Sequence, residues 1–165
     1  VAMFALLFAG ALGVYRSQSE RLGRIAKAGA ILTLAGFGLS VAGGLTIIVV
    51  GLAVGDEATL GVLDVITHPL AQLLYTLGSA IFGVALFRKG TLPKPGALLA
   101  AAGPVALFAL FMTGNQQATG LIMASVVATG LGWVLLGLGL RREQGLSGAV
   151  LPIAERPVGP TNPAA

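Results

Sequence analysis

The chain has 165 residues, 56% hydrophobic and 10% charged, with no cysteine and a net charge of +4; its mean hydropathy is +0.93. A soluble domain of this size does not carry so much apolar surface, so an integral membrane protein is expected. The lack of cysteine excludes disulfides, thiolate metal sites and thiol redox chemistry. An excess of basic residues in such a chain is the ordinary mark of cytoplasmic loops, and no nucleic-acid partner is expected from it.

A membrane-crossing helix needs about 20 mainly apolar residues. Five stretches are candidates: residues 1–15, 28–54, 70–87, 97–113 and 119–140. Their apolar residues run continuously instead of alternating, which predicts helices and not barrel strands. The fold class expected is therefore all-α, a bundle of about five transmembrane helices spanning residues 1–143. The first stretch is only about 22 Å long as a helix and opens on Val1, which predicts a helix truncated at its N-terminus. A signal peptide is the rival reading, but the basic cluster follows this apolar run where a signal peptide would place it first.

The connection at 16–27, RSQSERLGRIAK, carries Arg16, Arg21, Arg24 and Lys27 against Glu20 alone. The connection at 55–69 holds Asp56, Glu57, Asp64 and His68 and no Lys or Arg. Arg88, Lys89 and Lys94 lie in 88–96, no charge lies in 114–118, and Arg141, Arg142 and Arg156 follow the last stretch. All ten basic residues thus fall on one side, which predicts 16–27, 88–96 and 141–165 in the cytoplasm and 55–69 and 114–118 outside. The tail at 144–165 holds four of the eight prolines and is expected to be extended, with 146–153 apolar enough to rest on the membrane surface.

Small residues recur before Arg16, Arg88 and Arg142, and GAILTLAG and GALLAAAG open the second and fourth stretches. A duplicated hairpin gives this pattern, and so does the ordinary composition of membrane helices. The segment YTLGSAIFGVALFRKGTLPKPGALLA, with GLGWVLLGLGLRR further on, resembles a pattern found in many small bacterial multi-pass membrane proteins of unknown function. The resemblance covers about a third of the chain. It implies a bacterial inner-membrane location and carries over no catalytic or binding residue.

Membrane helices associate through close backbone approach, which small residues permit. Gly29, Thr33, Gly36, Ser40, Gly44, Gly51 and Gly55 form one small face on the second helix, and Gly120, Ala124, Ala128 and Gly132 one on the fifth. Gln72, Thr76, Ser79 and Gly83 make a narrower stripe on the third. Pro104 removes a backbone hydrogen bond inside the fourth helix and is expected to kink it.

No ionisable side chain lies in the middle of a span, which disfavours proton pumps, ion-coupled transporters and voltage sensors. His68, the single histidine, follows Thr67 and precedes Pro69, an arrangement that predicts a helix start with Pro in its first turn. Residues 57–67, with Leu60, Leu63 and Ile66, then make a separate amphipathic surface helix. The functional alternatives are an axial haem ligand at His68, or a metal site of His68 with Asp56, Glu57 and Asp64. A bis-histidine haem lacks its second histidine, and a polar helix cap is the preferred reading.

Ser40, Ser79 and Ser125 have no neighbouring base, and no nucleotide loop, zinc-protease helix or EF-hand is present. Trp133 lies deep in the fifth helix, where its indole N–H calls for a Ser or Thr on a neighbour. Packing is its expected role, with a pocket shared with Phe108 and Phe111 as the alternative. Function is thus expected to be non-enzymatic, without cofactor or metal: an accessory subunit or scaffold against the lipid bilayer, other membrane subunits or itself. The alternative is a binder of a lipid, quinone or pigment at His68, Tyr75 and Trp133.

Overall fold

The computed structural model describes residues 1–54, 57–90, 92–114 and 117–149, without the side chains at 54, 57–60, 63, 64, 66 and 143–149. Five helices account for them: α1 Ala2–Gln18, α2 Arg24–Val54, α3 Glu57–Lys89, α4 Lys94–Met112 and α5 Thr119–Ala149. Four are long and apolar enough to cross a membrane, over Arg24–Ala53, Thr67–Lys89, Lys94–Met112 and Thr119–Arg142. The protein is an all-α membrane bundle. Helix α1 has 17 residues and begins at the second residue of the chain.

Each helix packs on its neighbour in the chain, and α1 also touches α5, so the five close into a ring. Local chemistry sets the ends. Pro93 precedes α4 and Pro95 occupies its first turn, where a missing N–H costs nothing. Gly90 and Gly114 take positive φ of 66° and 69° after α3 and α4, the left-handed conformation that terminates a helix and that glycine adopts without strain. Across the first of these turns the Lys94 ammonium lies 5.8 Å from the centre of the Phe87 ring, a cation–π contact.

The two tightest interfaces are α2 on α3 and α4 on α5, and glycine makes both possible. A Cβ on Gly36 would lie 2.8 Å from Tyr75 Cα, one on Gly78 2.8 Å from the Gly29 carbonyl oxygen, and one on Gly132 2.8 Å from Ala100 Cα. These are backbone-to-backbone approaches that no other residue allows. Along α2 the α3 contacts fall at Gly29, Thr33 and Gly36, with Gly43 meeting Thr67 further out. Along α5 the buried row is Ser125, Thr129, Gly132, Leu136 and Gly139. Steps alternating between four and three average 3.5 residues, the repeat of a left-handed helix pair crossing at a shallow angle.

Steps of four alone drift off that seam, and the expected faces depart from it accordingly. Gly44 meets Val1 of α1 instead of α3. Gly120 has open space around it, Ala124 is exposed and Ala128 half-buried; the last two line a groove between α4 and α5. Gly36 and Gly132 lie on the seams, and Ser40 is half-buried beside one.

Two other expectations need correction. Helix α3 does not start at Thr67–Pro69: it runs unbroken from Glu57, with Pro69 inside it. Proline's fixed φ is helical, and a membrane helix tolerates the lost hydrogen bond, so no separate surface helix exists at 57–67. The tail does not begin extended at 144 either, because α5 continues to Ala149. Residues 150–165 lie outside the described residues.

Helices α2 and α3 run past the end of α4. Val1 is level with Gly44, and Gly43 with Thr67. Thr76 donates to the Pro104 carbonyl at 3.5 Å, and nine residues on in each antiparallel helix Thr113 reaches the level of Thr67. Beyond that level α2 continues over residues 45–54 and α3 over residues 57–66, about 15 Å of helix each.

Candidate functional site

The ring of helices encloses an aromatic cluster drawn from four of them. Phe37 of α2 stacks on Tyr75 of α3 at 5.2 Å between ring centres, and Phe4 of α1 leans on both at 6.3 and 6.1 Å. Trp133 of α5 sets its edge against Phe37 at 6.1 Å and packs on Phe82 of α3 at 6.3 Å. Helix α4 contributes small residues instead, with Ala97, Ala100, Gly103 and Pro104 buried, so the rings fill the space that its thin wall leaves.

Polar atoms run through this core. The Tyr75 hydroxyl donates to Gln72 Oε1. Thr33, Ser40, Ser125 and Thr129 donate to the carbonyls of Gly29, Gly36, Leu121 and Ser125, each four residues back at 2.8–3.0 Å. Such bonds within one helix let hydroxyls sit at membrane depth. Among the described residues three buried groups have no partner: Gln72 Nε2, Ser79 Oγ and Trp133 Nε1. The Ser or Thr partner expected for the Trp133 indole is therefore not made. Phe108 and Phe111 are not its aromatic neighbours; Phe37 and Phe82 are.

A cavity of about 60 Å³ lies among Phe4, Leu7, Phe37, Tyr75, Leu107 and Thr129. Toward the acidic connection a second, of about 120 Å³, lies between Phe4, Ser40, Gly43, Thr67 and His68. His68 itself is exposed. Tyr75 follows it by two turns of α3 and is buried, so the structure does not gather His68, Tyr75 and Trp133 into one site: Tyr75 and Trp133 share the aromatic core through Phe37, and His68 stands at its outer end. Asp56 and the side chains of Glu57 and Asp64 lie outside the described residues. Among the described residues no three His, Asp or Glu side chains come together.

Sequence reasoning missed the aromatic cluster. Phe4, Phe37, Tyr75, Phe82 and Trp133 are half of the ten aromatic residues, and each sits one or three residues from a small residue on its own helix. Phe8 and Phe108 adjoin small residues just as closely, so no local signal in the sequence singles out these five. The aromatic core, the polar groups inside it and the apolar exterior define a multi-pass helical membrane protein. Compared with protein-family models, curated proteins and solved structures, the chain matches none.

Proposed function

We propose that the chain is a non-enzymatic accessory subunit or scaffold of a bacterial inner membrane, which packs against other membrane proteins or a second copy of itself. The ends of α2 and α3 that run past α4 carry this reading. Leu45, Ile48, Val49 and Leu52 of α2, with Val62 and Val65 of α3, are all exposed past the level where α4 ends. In a bilayer such side chains face lipid, and two helices that continue past the end of α4 also offer a neighbouring membrane protein a pair of helices to pack on. The absence of ionisable groups from the middle of the spans supports a role without ion coupling.

The orientation that goes with it places 16–27, 88–96 and 141–165 in the cytoplasm and 55–69 and 114–118 outside. Because the chain has no cysteine, Ser19→Cys and Gln117→Cys should react with an impermeant maleimide from opposite faces of sealed vesicles. The scaffold role is tested by purification from the native membrane in mild detergent. A defined protein should accompany the wild type and be lost from Leu52→Glu; solute transport or substrate turnover by the purified chain alone would overturn the proposal.

A second reading, a binder of a small apolar ligand, is favoured by Trp133 Nε1 and Gln72 Nε2. Both are buried N–H donors without partners among the described residues and suit a ligand bearing carbonyl oxygens, but neither lines the 60 Å³ cavity, which is smaller than a quinone ring, so such a ligand would have to part the helices. Organic extraction of the purified protein followed by mass spectrometry should recover that ligand in stoichiometric amount. A visible spectrum with a Soret band would point instead to haem at His68.

A further inference from the structure

Where α2 begins and α3 ends, the surface opens into a groove of about 970 Å³. Ala26, Ile81 and Val84 line its apolar part, and Arg24, Arg88 and Lys89 stand along its basic end. All three cations are exposed, and no ion pair engages them among the described residues. The start of α2 adds to the positive field. The Gly23 carbonyl accepts the first helical bond, from the Lys27 N–H at 3.0 Å, yet glycine has no side chain with which to cap the free N–H groups of that turn.

The groove therefore pairs an aliphatic trough with a cationic rim at the boundary between hydrocarbon and headgroups. We propose that it is a binding site for one anionic phospholipid. The phosphate sits between the two guanidinium groups, which can each donate two parallel hydrogen bonds, with Lys89 and the α2 N-terminus beside it. One acyl chain runs along Ile81 and Val84. From Arg88 to Ile81 is about 10 Å of helix, so the trough holds the upper part of the chain. A zwitterionic lipid brings its own cation to a rim that already carries three. Basic pockets between helices at the cytoplasmic surface recognise phosphate headgroups on these grounds. This proposal is independent of the core cavity and of the surface where α2 and α3 run past α4.

Native mass spectrometry of the full chain in detergent tests it, with phosphatidylglycerol or phosphatidylcholine of matched acyl chains added in steps. The wild type should bind one phosphatidylglycerol about tenfold more tightly than phosphatidylcholine. Arg24→Gln with Arg88→Gln should abolish the preference, while Arg141→Gln with Arg142→Gln, an equal loss of charge elsewhere on the basic side, should keep it. Val84→Trp, which fills the trough and leaves every charge, should weaken binding of both lipids about tenfold. Circular dichroism and gel filtration establish that each variant is folded; all the substituted positions are exposed. Unchanged preference in the Arg24 and Arg88 variant, or equal loss in the Arg141 and Arg142 variant, would overturn the proposal. So would full displacement of phosphatidylglycerol by inorganic phosphate, because the trough would then contribute nothing.

Discussion

Adding a single methyl group at Gly36 probes the glycine seam directly. Its carbon would stand 2.6 Å from Tyr75 Cβ and 2.8 Å from Tyr75 Cα, against an ordinary separation of about 3.5–4.0 Å between carbons. The obstacle is main chain, so α2 and α3 must part locally by about 1 Å. A gap of that size forfeits a quarter to a half of each contact worth about 0.1–0.2 kcal/mol. With on the order of 40 such contacts around Thr33, Phe37 and Tyr75, the loss is about 1–4 kcal/mol. Alanine returns about 1 kcal/mol through its higher helix propensity. Gly36→Ala should therefore destabilise by up to about 3 kcal/mol. Gly13 and Gly137 have no atom within 4 Å of an added Cβ, so alanine there should stabilise by up to about 1 kcal/mol. Detergent-induced unfolding in mixed micelles, followed through the fluorescence of Trp133, measures all three variants. Equal shifts for Gly36→Ala and Gly13→Ala would refute close backbone approach as the basis of the α2–α3 interface.

Trp133→Phe should stay within about 1 kcal/mol of wild type, because the lost ring area is offset by removal of an unpaired buried N–H. Trp133→Ala should cost about 3–5 kcal/mol, and circular dichroism follows both variants through unfolding. Tyr75→Phe leaves Gln72 Oε1 without its donor and should destabilise by about 1–2 kcal/mol in the fluorescence assay. Ser79→Ala removes an unpartnered hydroxyl and should be neutral or stabilising by up to about 1 kcal/mol, measured in the same way.

The helices were legible because a span announces itself in one dimension: an uninterrupted apolar run between polar flanks locates α2 and α4 within four residues of their observed ends. Pro69 was misread because local rules place proline at a helix start, whereas here the continuing helix keeps its geometry through the missing bond. The seams were half legible. Gly36 and Gly132 were found by their spacing and Gly44 packs on Val1 of α1, while Gly120 and Ala124 lie off the seam because the partner helix imposes a 3.5-residue repeat that a single helix does not reveal. The site was less legible still. Trp133 was recognised as deep, but its neighbours Phe37 and Phe82 come from helices whose depth relative to α5 depends on three successive turns.

The inequality of the helices has a consequence for the surrounding bilayer. The apolar part of α2, residues 28–53, runs about 39 Å, while that of α4, residues 97–112, runs about 24 Å. One molecule thus presents a thick hydrophobic edge on one flank and a thin one on the other. Lipid must stretch beside α2, or the bundle must tilt toward α4, at a fraction of a kcal/mol per Å of mismatch. A second protein with equally long helices would relieve that deformation by settling against α2. Membrane thickness alone can therefore bring a companion to this face before any specific contact is made.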